Sequence, residues 1–307
     1  MAGRASERGA ALIAVMAMVL LLSGLAMLGL SRLRAATDRV TDSEARAHAN
    51  LLADAGIRIG LPMVTRLKAA NARGSLLNDA PLVLKLPQGT LLLRFSDGGT
   101  CFNLNSLARR EKQAPADASA ADFARLLAAT GVPMQEADAV SKATAARLSG
   151  TAILWADASE WVRVPGVTAA IWNAAGPMLC ALPSRDAAGF NINALQPGQW
   201  PLLVALGLSP DEARRAISAR PPAGWTDAQD FWAAATPGGM PAAAGAAVSG
   251  TSSRWIGLSV VAITPEAIAA RRVLLDSIRT PAMIASSVWL PPPARDTVLP
   301  LIDKGSA

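Results

Sequence analysis

The chain has 307 residues, a length that allows one large domain or two small ones, each with its own hydrophobic core. Apolar residues make up 51% of it and the formal net charge is +6, yet no run of basic residues is longer than two. Arginines spread this thinly are typical of a solvated surface, so the charge by itself does not indicate a nucleic-acid or lipid partner.

The first feature along the chain is an apolar stretch without any charge, from Gly9 to Ser31. As an α-helix it would be about 35 Å long, enough to cross the hydrocarbon core of a bilayer. It is longer than the apolar region of a secretory signal and no Ala-x-Ala cleavage site follows it. We therefore predict a membrane anchor. Two arginines precede the stretch and two follow it, so the positive-inside rule does not orient it.

Helical spacing of Leu, Ala and Ile continues beyond the anchor without a breaker before Gly56 and Pro62. This spacing predicts a stalk that extends the helix to about Gly60, with its partner-binding face between Ala35 and Ile59. The single histidine, His48, lies in the stalk far from any cluster of Cys, Asp or His. It is therefore interpreted as a solvated helix residue.

The rest of the chain alternates between strand and helix signals. Two apolar runs, Pro81–Leu86 and Thr90–Ser96, are joined by Pro-Gln-Gly and predict a β-hairpin. Capping residues predict helices that start after Ser119, Ser209 and Thr226. Three further strands are predicted at 254–263, 271–278 and 283–290. A helical block between two β-rich parts indicates an α+β fold with an inserted helical domain.

A short phrase occurs twice, as CFNLNSL at residues 101–107 and as GFNINAL at 189–195. Asparagine tolerates turn conformations and can cap a helix start. The phrase is therefore interpreted as a turn and cap motif, with the aromatic and Leu residues buried. The alternative is a ligand site made of the asparagines. The residues concerned are Phe102, Asn103, Asn105, Phe190, Asn191 and Asn193.

Each of the two cysteines, Cys101 and Cys180, precedes one copy of this phrase. In an oxidising compartment a disulfide between them would tie the two copies together. The alternative is a pair of unrelated buried thiols. The disulfide is the favoured reading if the domain is exported.

The segment from Phe190 to Trp232 resembles a helix-hairpin-helix unit, and Leu154–Trp172 resembles a looser copy of it. In DNA-binding hairpins of this type a Gly-x-Gly turn exposes backbone N–H groups that bind a phosphate. Here the second glycine is replaced by Ser209, and the acidic Asp211 and Glu212 follow. Packing modules are therefore favoured over DNA-binding ones.

Taken together, these motifs resemble the type II secretion system minor pseudopilin K family. The start RASERGAALIAVMAMVLLL is similar to a prepilin leader followed by its apolar helix, and the two Phe-Asn motifs and SRWIGLSVVA are similar to family landmarks. The resemblance implies a pseudopilin fold: a long N-terminal transmembrane helix, a small β-sheet and an inserted all-α domain of helix-hairpin-helix or SAM-like units. The implied division is a leader at 1–9, a transmembrane helix at 10–30, a stalk at 31–60, an α+β part at 61–105, the helical insertion at 106–240 and a second α+β part at 241–307.

The resemblance also implies a function in assembly, not an enzyme. Prepilin peptidase would cut after Gly9, the new amine of Ala10 would be methylated, and a single inner-membrane span would leave the N-terminus cytoplasmic and the head periplasmic. Pilin-like subunits usually carry Glu at the fifth mature position, which here is Ala14. A carboxylate in a membrane is costly unless it is paired, so an apolar residue suits a subunit at the filament tip. The implied partners are pseudopilins I, J and H.

No cofactor is predicted. The family's calcium would require an Asp-rich stretch, and this chain has only WADASEW in that neighbourhood. The alternative function is a membrane-anchored DNA receptor that uses Arg214, Arg215 and Arg220, although no nucleic acid is expected as a partner. A hydrolase ranks last, because the sequence has no Gly-x-Ser-x-Gly motif and no histidine outside the stalk.

Overall fold

The computed structural model describes residues 3–64, 66, 81–108, 119–150, 153–186, 190–236, 249–278 and 281–304. Its first element is helix α1 (Gly3–Gly60), which contains the predicted anchor and stalk in one uninterrupted helix. The segment is rich in Ala, Leu, Met and Arg, which favour helices, and contains no proline. The helix ends at Gly60, two residues before Pro62, which is consistent with the restriction that proline places on the residue before it.

Nine strands and seven shorter helices follow α1 in the described ranges. The strands are β1 (Leu82–Leu86), β2 (Gly89–Asp97), β3 (Phe102–Asn103), β4 (Leu179–Cys180), β5 (Phe190–Asn191), β6 (Ser249–Gly250), β7 (Trp255–Ile263), β8 (Ile268–Asp276) and β9 (Met283–Leu290). The helices are α2 (Ala120–Ala129), α3 (Met134–Ser149), α4 (Ala169–Ala175), α5 (Trp200–Ala205), α6 (Pro210–Ser218), α7 (Ala228–Ala235) and α8 (Arg295–Lys304). Short 3-10 helices follow β3 and β5 and precede α4.

The main sheet has five antiparallel strands in the order β1-β2-β7-β8-β9. Its two central neighbours, β2 and β7, pair over eight positions, from Thr90 opposite Ile263 to Asp97 opposite Ile256. The chain between Asp97 and Trp255 leaves the sheet, forms the helical unit and returns to the adjacent position. The sheet therefore has the topology of a hairpin into which a domain is inserted.

The last turns of α1 lie across one face of this sheet. Ala49, Leu52, Ala53 and Ile57 are buried against apolar side chains of β2, β7 and β8. Glycine permits the closest approach, because a Cβ on Gly56 would lie 2.6 Å from Cγ1 of Val260. The C-terminal part of the predicted partner-binding face, Ala35–Ile59, is therefore largely used inside the protein: its apolar side from Ala49 onward packs on the sheet, whereas residues 35–44 are all exposed.

The helical unit has one core that includes both Phe-Asn segments. Phe102 stacks on Phe123 with ring centroids 4.9 Å apart, and Phe123 meets the edge of Trp161 at 5.5 Å. Trp161 and Trp232 are completely buried, and their indole N–H groups donate to Thr144 and Ser249 respectively. The packed unit extends from Phe102 to β6, slightly beyond the predicted insertion boundaries of 106 and 240.

Helix α8 covers the other face of the sheet near β1 and β2, where Val298 packs with Leu92 and Ile263. The predicted fold class, α+β with a long apolar N-terminal helix, is confirmed by this architecture. One capping assignment is wrong: α7 is capped by Asp227, whose side chain accepts from the N–H of Gln229, and not by Thr226. An aspartate carboxylate next to the threonine is at least as good an acceptor and stands one residue closer to the helix.

Candidate functional site: the exposed helix and the repeated asparagine motif

From Val15 to Leu33, helix α1 presents apolar side chains to the surroundings. Large residues from Val15 to Leu33 are about half to three quarters exposed, with Met27 at 77%. This is the one segment of the described chain that is long and apolar enough to span a membrane, and none of its most apolar part is buried in the protein. Gly9, Ala10 and Ala14 lie in the same helix, but their side chains are outside the described part of the structure.

The first asparagine of each motif turns the chain from a strand into a 3-10 helix. Asn103 Oδ1 accepts from the N–H of Asn105 at 3.2 Å, and Asn191 Oδ1 accepts from the N–H of Asn193 at 2.9 Å. Asn103 also accepts from the N–H of Leu182 at 3.0 Å. These bonds satisfy backbone donors at the start of each short helix, which is the cap role that the sequence indicates.

The second asparagine of each motif holds the backbone of a distant tryptophan from both sides. Asn105 accepts from the N–H of Trp155 at 2.9 Å and donates to its carbonyl at 2.9 Å. Asn193 does the same with Trp225, at 2.7 and 2.9 Å. All four asparagines are at most 6% exposed. Their polar atoms are used in holding the protein's own chain, which argues against the alternative of a ligand site.

The tryptophans held in this way belong to a second repeated phrase that the sequence reading missed. Trp155 begins WADA and Trp225 begins WTDA, and the aspartate of each phrase caps the helix that follows. The 3-10 helix Ala158–Arg163 starts after Asp157, and α7 starts after Asp227. The inserted domain is therefore a tandem repeat, and the shared Trp-x-Asp-Ala spacing was the signal that could have revealed it.

Removing the Asp157 cap is expected to lower the free energy of unfolding by an amount that depends on pH. Hydrogen bonds from the side chain and the backbone N–H of Ser159 hold the pKa of Asp157 below its ordinary value, and Arg272 adds an electrostatic attraction. A lowered pKa stabilises the fold above the unfolded pKa, near 4, and the gain is lost as pH falls through the folded value. We expect Asp157→Ala to cost about 1 kcal/mol at pH 7.

Asp157→Asn is the matched control for this prediction, because asparagine caps about as well and does not titrate. The free energy of unfolding, measured by urea denaturation at pH 7 and pH 3, should fall with acid more for the natural chain than for this variant. An equal fall in both proteins would contradict the assigned role of the carboxylate.

Each repeat also closes on itself through a pair of short parallel strands. In the first, β3 pairs with β4, and the predicted pair Cys101 and Cys180 forms a disulfide beside them, across a separation of 79 residues. In the second, β5 pairs with β6 without a covalent link. The sequence analysis predicted that this disulfide would join the two copies of the motif, but it does not. It closes the first repeat.

A polar cluster at the end of β2 joins the helical unit to the sheet. Asp97 accepts from the N–H groups of Gly99 and Thr100 and from the hydroxyl of Ser253. Ser253 in turn accepts from Nδ2 of Asn191 at 3.2 Å, and Thr100 exchanges hydrogen bonds with the backbone of Asn191. The end of β2, the segment that leads into β7 and the second motif thus meet at one point.

An ion pair and an apolar contact reinforce this junction. Arg254 donates to both carboxylate oxygens of Asp276, at 3.2 and 2.9 Å, and these bonds raise the pKa of the arginine further above its ordinary value. Asp186 of the helical unit lies 3.9 Å from the same guanidinium. Leu182 packs on Trp255 beside them. Such a bidentate pair fixes geometry as well as charge.

The hairpin region does not offer a phosphate site. The hydroxyl of Ser209 accepts from the N–H of Glu212, and the Glu212 carboxylate accepts from the N–H of Ser209 at 2.8 Å. Arg220 donates to the carbonyls of Asn193 and Leu195, at 2.7 and 3.0 Å. Two N–H groups at the start of α6 are therefore already bonded, that of Ser209 to a carboxylate and that of Glu212 to a hydroxyl, and Arg220 is used in holding the fold.

No group of three or more metal-ligating side chains occurs within the described ranges. The polar residues of the site bond to the protein's own backbone and to one another, and these bonds hold the tandem helical unit against the sheet.

Sequence comparison matches residues 190–249, from the second asparagine motif to β6, to the family model for type II secretion system (T2SS), protein K. The type II secretion system protein K of Dickeya chrysanthemi is 41% identical over 78 residues, which are 24% of this chain and 22% of the relative. The protein of the same name from Aeromonas hydrophila is 32% identical over 179 residues, 47% of this chain and 54% of the relative. The chain thus spans about half or less of the length of these curated relatives.

Structural comparison finds a wider likeness. The crystal structure of the GspK-GspI-GspJ complex from the enterotoxigenic Escherichia coli type 2 secretion system contains a chain that superposes with a TM-score of 0.67. The alignment covers 82% of this chain and 99% of that one at 21% identity. At that level of identity the likeness establishes the fold. The resemblance inferred from the motifs is confirmed by these comparisons.

Proposed function

We propose that the chain is a minor pseudopilin of the type II secretion system protein K type, a structural subunit of the secretion pseudopilus and not an enzyme. The observation that carries this proposal is α1. It is apolar and exposed over a length that can cross a membrane, and it continues without a break into a head that it enters only in its last turns. A helix of this kind can leave the bilayer and pack among similar helices without unfolding.

The proposed processing follows from the start of the chain. Prepilin peptidase would cut between Gly9 and Ala10 on the cytoplasmic side of the inner membrane, and the amine of Ala10 would be methylated. The apolar helix would then span the inner membrane with the head in the periplasm. The disulfide between Cys101 and Cys180 supports this placement of the head, because structural disulfides persist in oxidising compartments.

The proposed position is the tip of the pseudopilus, where the protein would start and cap assembly for the export of folded periplasmic proteins. Ala14 supports it, because a subunit with nothing above it has no amine to pair with a membrane carboxylate. The tandem helical unit supports it as well, since it gives the head bulk where another subunit would stack. The proposed partners are pseudopilins I and J, with H below them.

Two measurements test this proposal together. Intact mass of the protein from cells with prepilin peptidase should correspond to a chain that begins at methylated Ala10, and co-expression with subunits I and J should yield a ternary complex. A chain that keeps its first nine residues in such cells, and that purifies alone, would refute the assignment. Co-expression without the peptidase is the control, in which the intact leader is expected.

The DNA receptor has weaker support. The start of α6 is already occupied by Ser209 and Glu212, and Arg214 stacks over the Trp200 ring at 4.1 Å while contacting Asp211. A salt-dependent affinity for duplex DNA would be the mark of such a receptor. We expect no measurable affinity for duplex DNA, even at low salt.

A further inference from the structure

The exposed part of the stalk carries a regular row of positive charge. Arg32, Arg39 and Arg46 are spaced by seven residues, and all three are exposed. Seven residues are nearly two helical turns, so the three side chains lie along one side of α1, about 10 Å apart. Within the described residues no carboxylate lies at ion-pair distance from any of them. The same helix does form such a pair elsewhere, between Asp54 and Arg271 of the head.

A narrow apolar seam runs beside this row. Leu33, Val40 and Ala47 follow the three arginines directly, and Ala36 and Ser43 lie between them, which gives the alternating spacing of three and four that helix pairs use. Leu33 and Val40 are 64% and 58% exposed. An open groove of about 380 Å³ lies on this face, and it is lined by Arg39, Asp42, Ser43, Arg46, Ala47 and Asn50. Small and apolar residues flanked by one row of charge are the pattern of a surface for a second helix.

We propose that this seam binds the stalk helix of a different pilin-like subunit, one that carries carboxylates at seven-residue intervals opposite Arg32, Arg39 and Arg46. The proposal rests on the proposed function and names the chemistry of the partner. In a parallel helix pair, a residue in this flanking row meets the residue five positions further along the other helix.

A second copy of this chain does not meet that requirement. Parallel pairing of two copies would set the three arginines against Thr37, Glu44 and Leu51, which supply a single carboxylate for three charges. Asp42, the one acidic residue in the groove, belongs to the same helix face as the arginines and neutralises only part of their charge. The charge pattern therefore favours a different chain over self-association.

Anionic lipid does not account for the row either. The apolar stretch ends at Ser31, so Arg32 can reach the headgroups, whose layer is only about 5–7 Å thick on each side of a bilayer. Arg39 and Arg46 lie about 10 and 20 Å further along the helix. A membrane surface would leave these two arginines without a partner, whereas a helix leaving the membrane in parallel would meet all three.

The test uses the full-length protein in membranes, co-expressed with subunits I and J, with a photo-crosslinking residue at Ser43 in the seam. We expect a crosslink to one of these subunits. Arg39→Glu combined with Arg46→Glu should reduce its yield about tenfold, because two attractions become repulsions. Arg39→Lys combined with Arg46→Lys should keep most of the yield, and the yield of the natural chain should fall between 0.05 and 0.5 M NaCl.

Arg34→Glu is the matched control, since Arg34 is an exposed arginine on the opposite side of the same helix and should change the yield less than twofold. An unchanged yield in the double Glu variant, an equal loss in Arg34→Glu, or a crosslink to lipid would overturn the inference. A crosslink to I or J that does not depend on the arginines would leave the proposed function intact. Loss of the ternary complex for the natural chain would instead count against the proposed function itself.

Discussion

Replacing Asn105 with aspartate is expected to lower the free energy of unfolding by about 3–5 kcal/mol. Asn105 is fully buried, and its Nδ2 donates to two carbonyls, those of Trp155 and Leu182, at 2.9 Å each. Aspartate has nearly the same shape but places a second acceptor oxygen against both carbonyls. The variant must break the contact or keep a proton on the buried carboxyl, and both cost free energy.

The repeat provides graded controls for this prediction. In Asn193→Asp the new carboxylate would face one carbonyl, that of Trp225. This variant should therefore lose less free energy of unfolding than Asn105→Asp. Asn173→Asp introduces the same chemical change at an exposed position of α4 and should be close to neutral. The measurement is urea unfolding of the detergent-solubilised full chain, followed by tryptophan fluorescence. If the three variants unfold at the same urea concentration, Asn105 does not have the role assigned to it.

Removing the disulfide with Cys101→Ser and Cys180→Ser is expected to destabilise the helical unit by about 4 kcal/mol. The cross-link joins residues that are separated by 79 positions. It therefore lowers the conformational entropy of the unfolded chain, and more so than a cross-link that closes a short loop. The loss should be concentrated in the first repeat, because β3 and β4 pair over only two residues and rely on the cross-link, whereas β5 and β6 do not have one.

Reductant supplies the internal control. Dithiothreitol should lower the stability of the natural chain to that of the double Ser variant and leave the variant unchanged. Hydrogen exchange should rise at residues 102–108 and 179–182 more than at 190–195. An equal rise in both repeats would show that the two repeats unfold as a single unit and that the cross-link does not protect the first one selectively.

The elements that could be predicted from the sequence are those set by local patterns. The hairpin β1–β2 follows from two apolar runs around a Pro-Gln-Gly turn, and the starts of α2 and α6 follow from Ser119 and Ser209 with acidic residues three positions later. A cap is determined within one helical turn, so its signal is in the adjacent residues. The same locality explains the error at α7, where Thr226 and Asp227 are adjacent acceptors and only packing decides between them.

The partners of the asparagines could not be predicted in this way. Asn105 and Trp155 are 50 positions apart, and Asp97 and Ser253 are 156 apart. No periodicity connects such pairs, since the contact depends on how whole helices pack. The disulfide illustrates the limit: both cysteines were identified correctly, but which parts of the chain they close became clear only from the pairing of β3 with β4.

The return of the chain to the strand position next to the one it left has an evolutionary consequence. Because Asp97 and Ile256 are cross-strand neighbours, the sheet is built the same way whatever the length of the excursion between them. Helices can therefore be gained, lost or duplicated in that excursion while the register of the five strands and the seat of α1 are preserved. Natural selection can then change the size of the helical unit without changing the sheet and the end of α1 that packs on it.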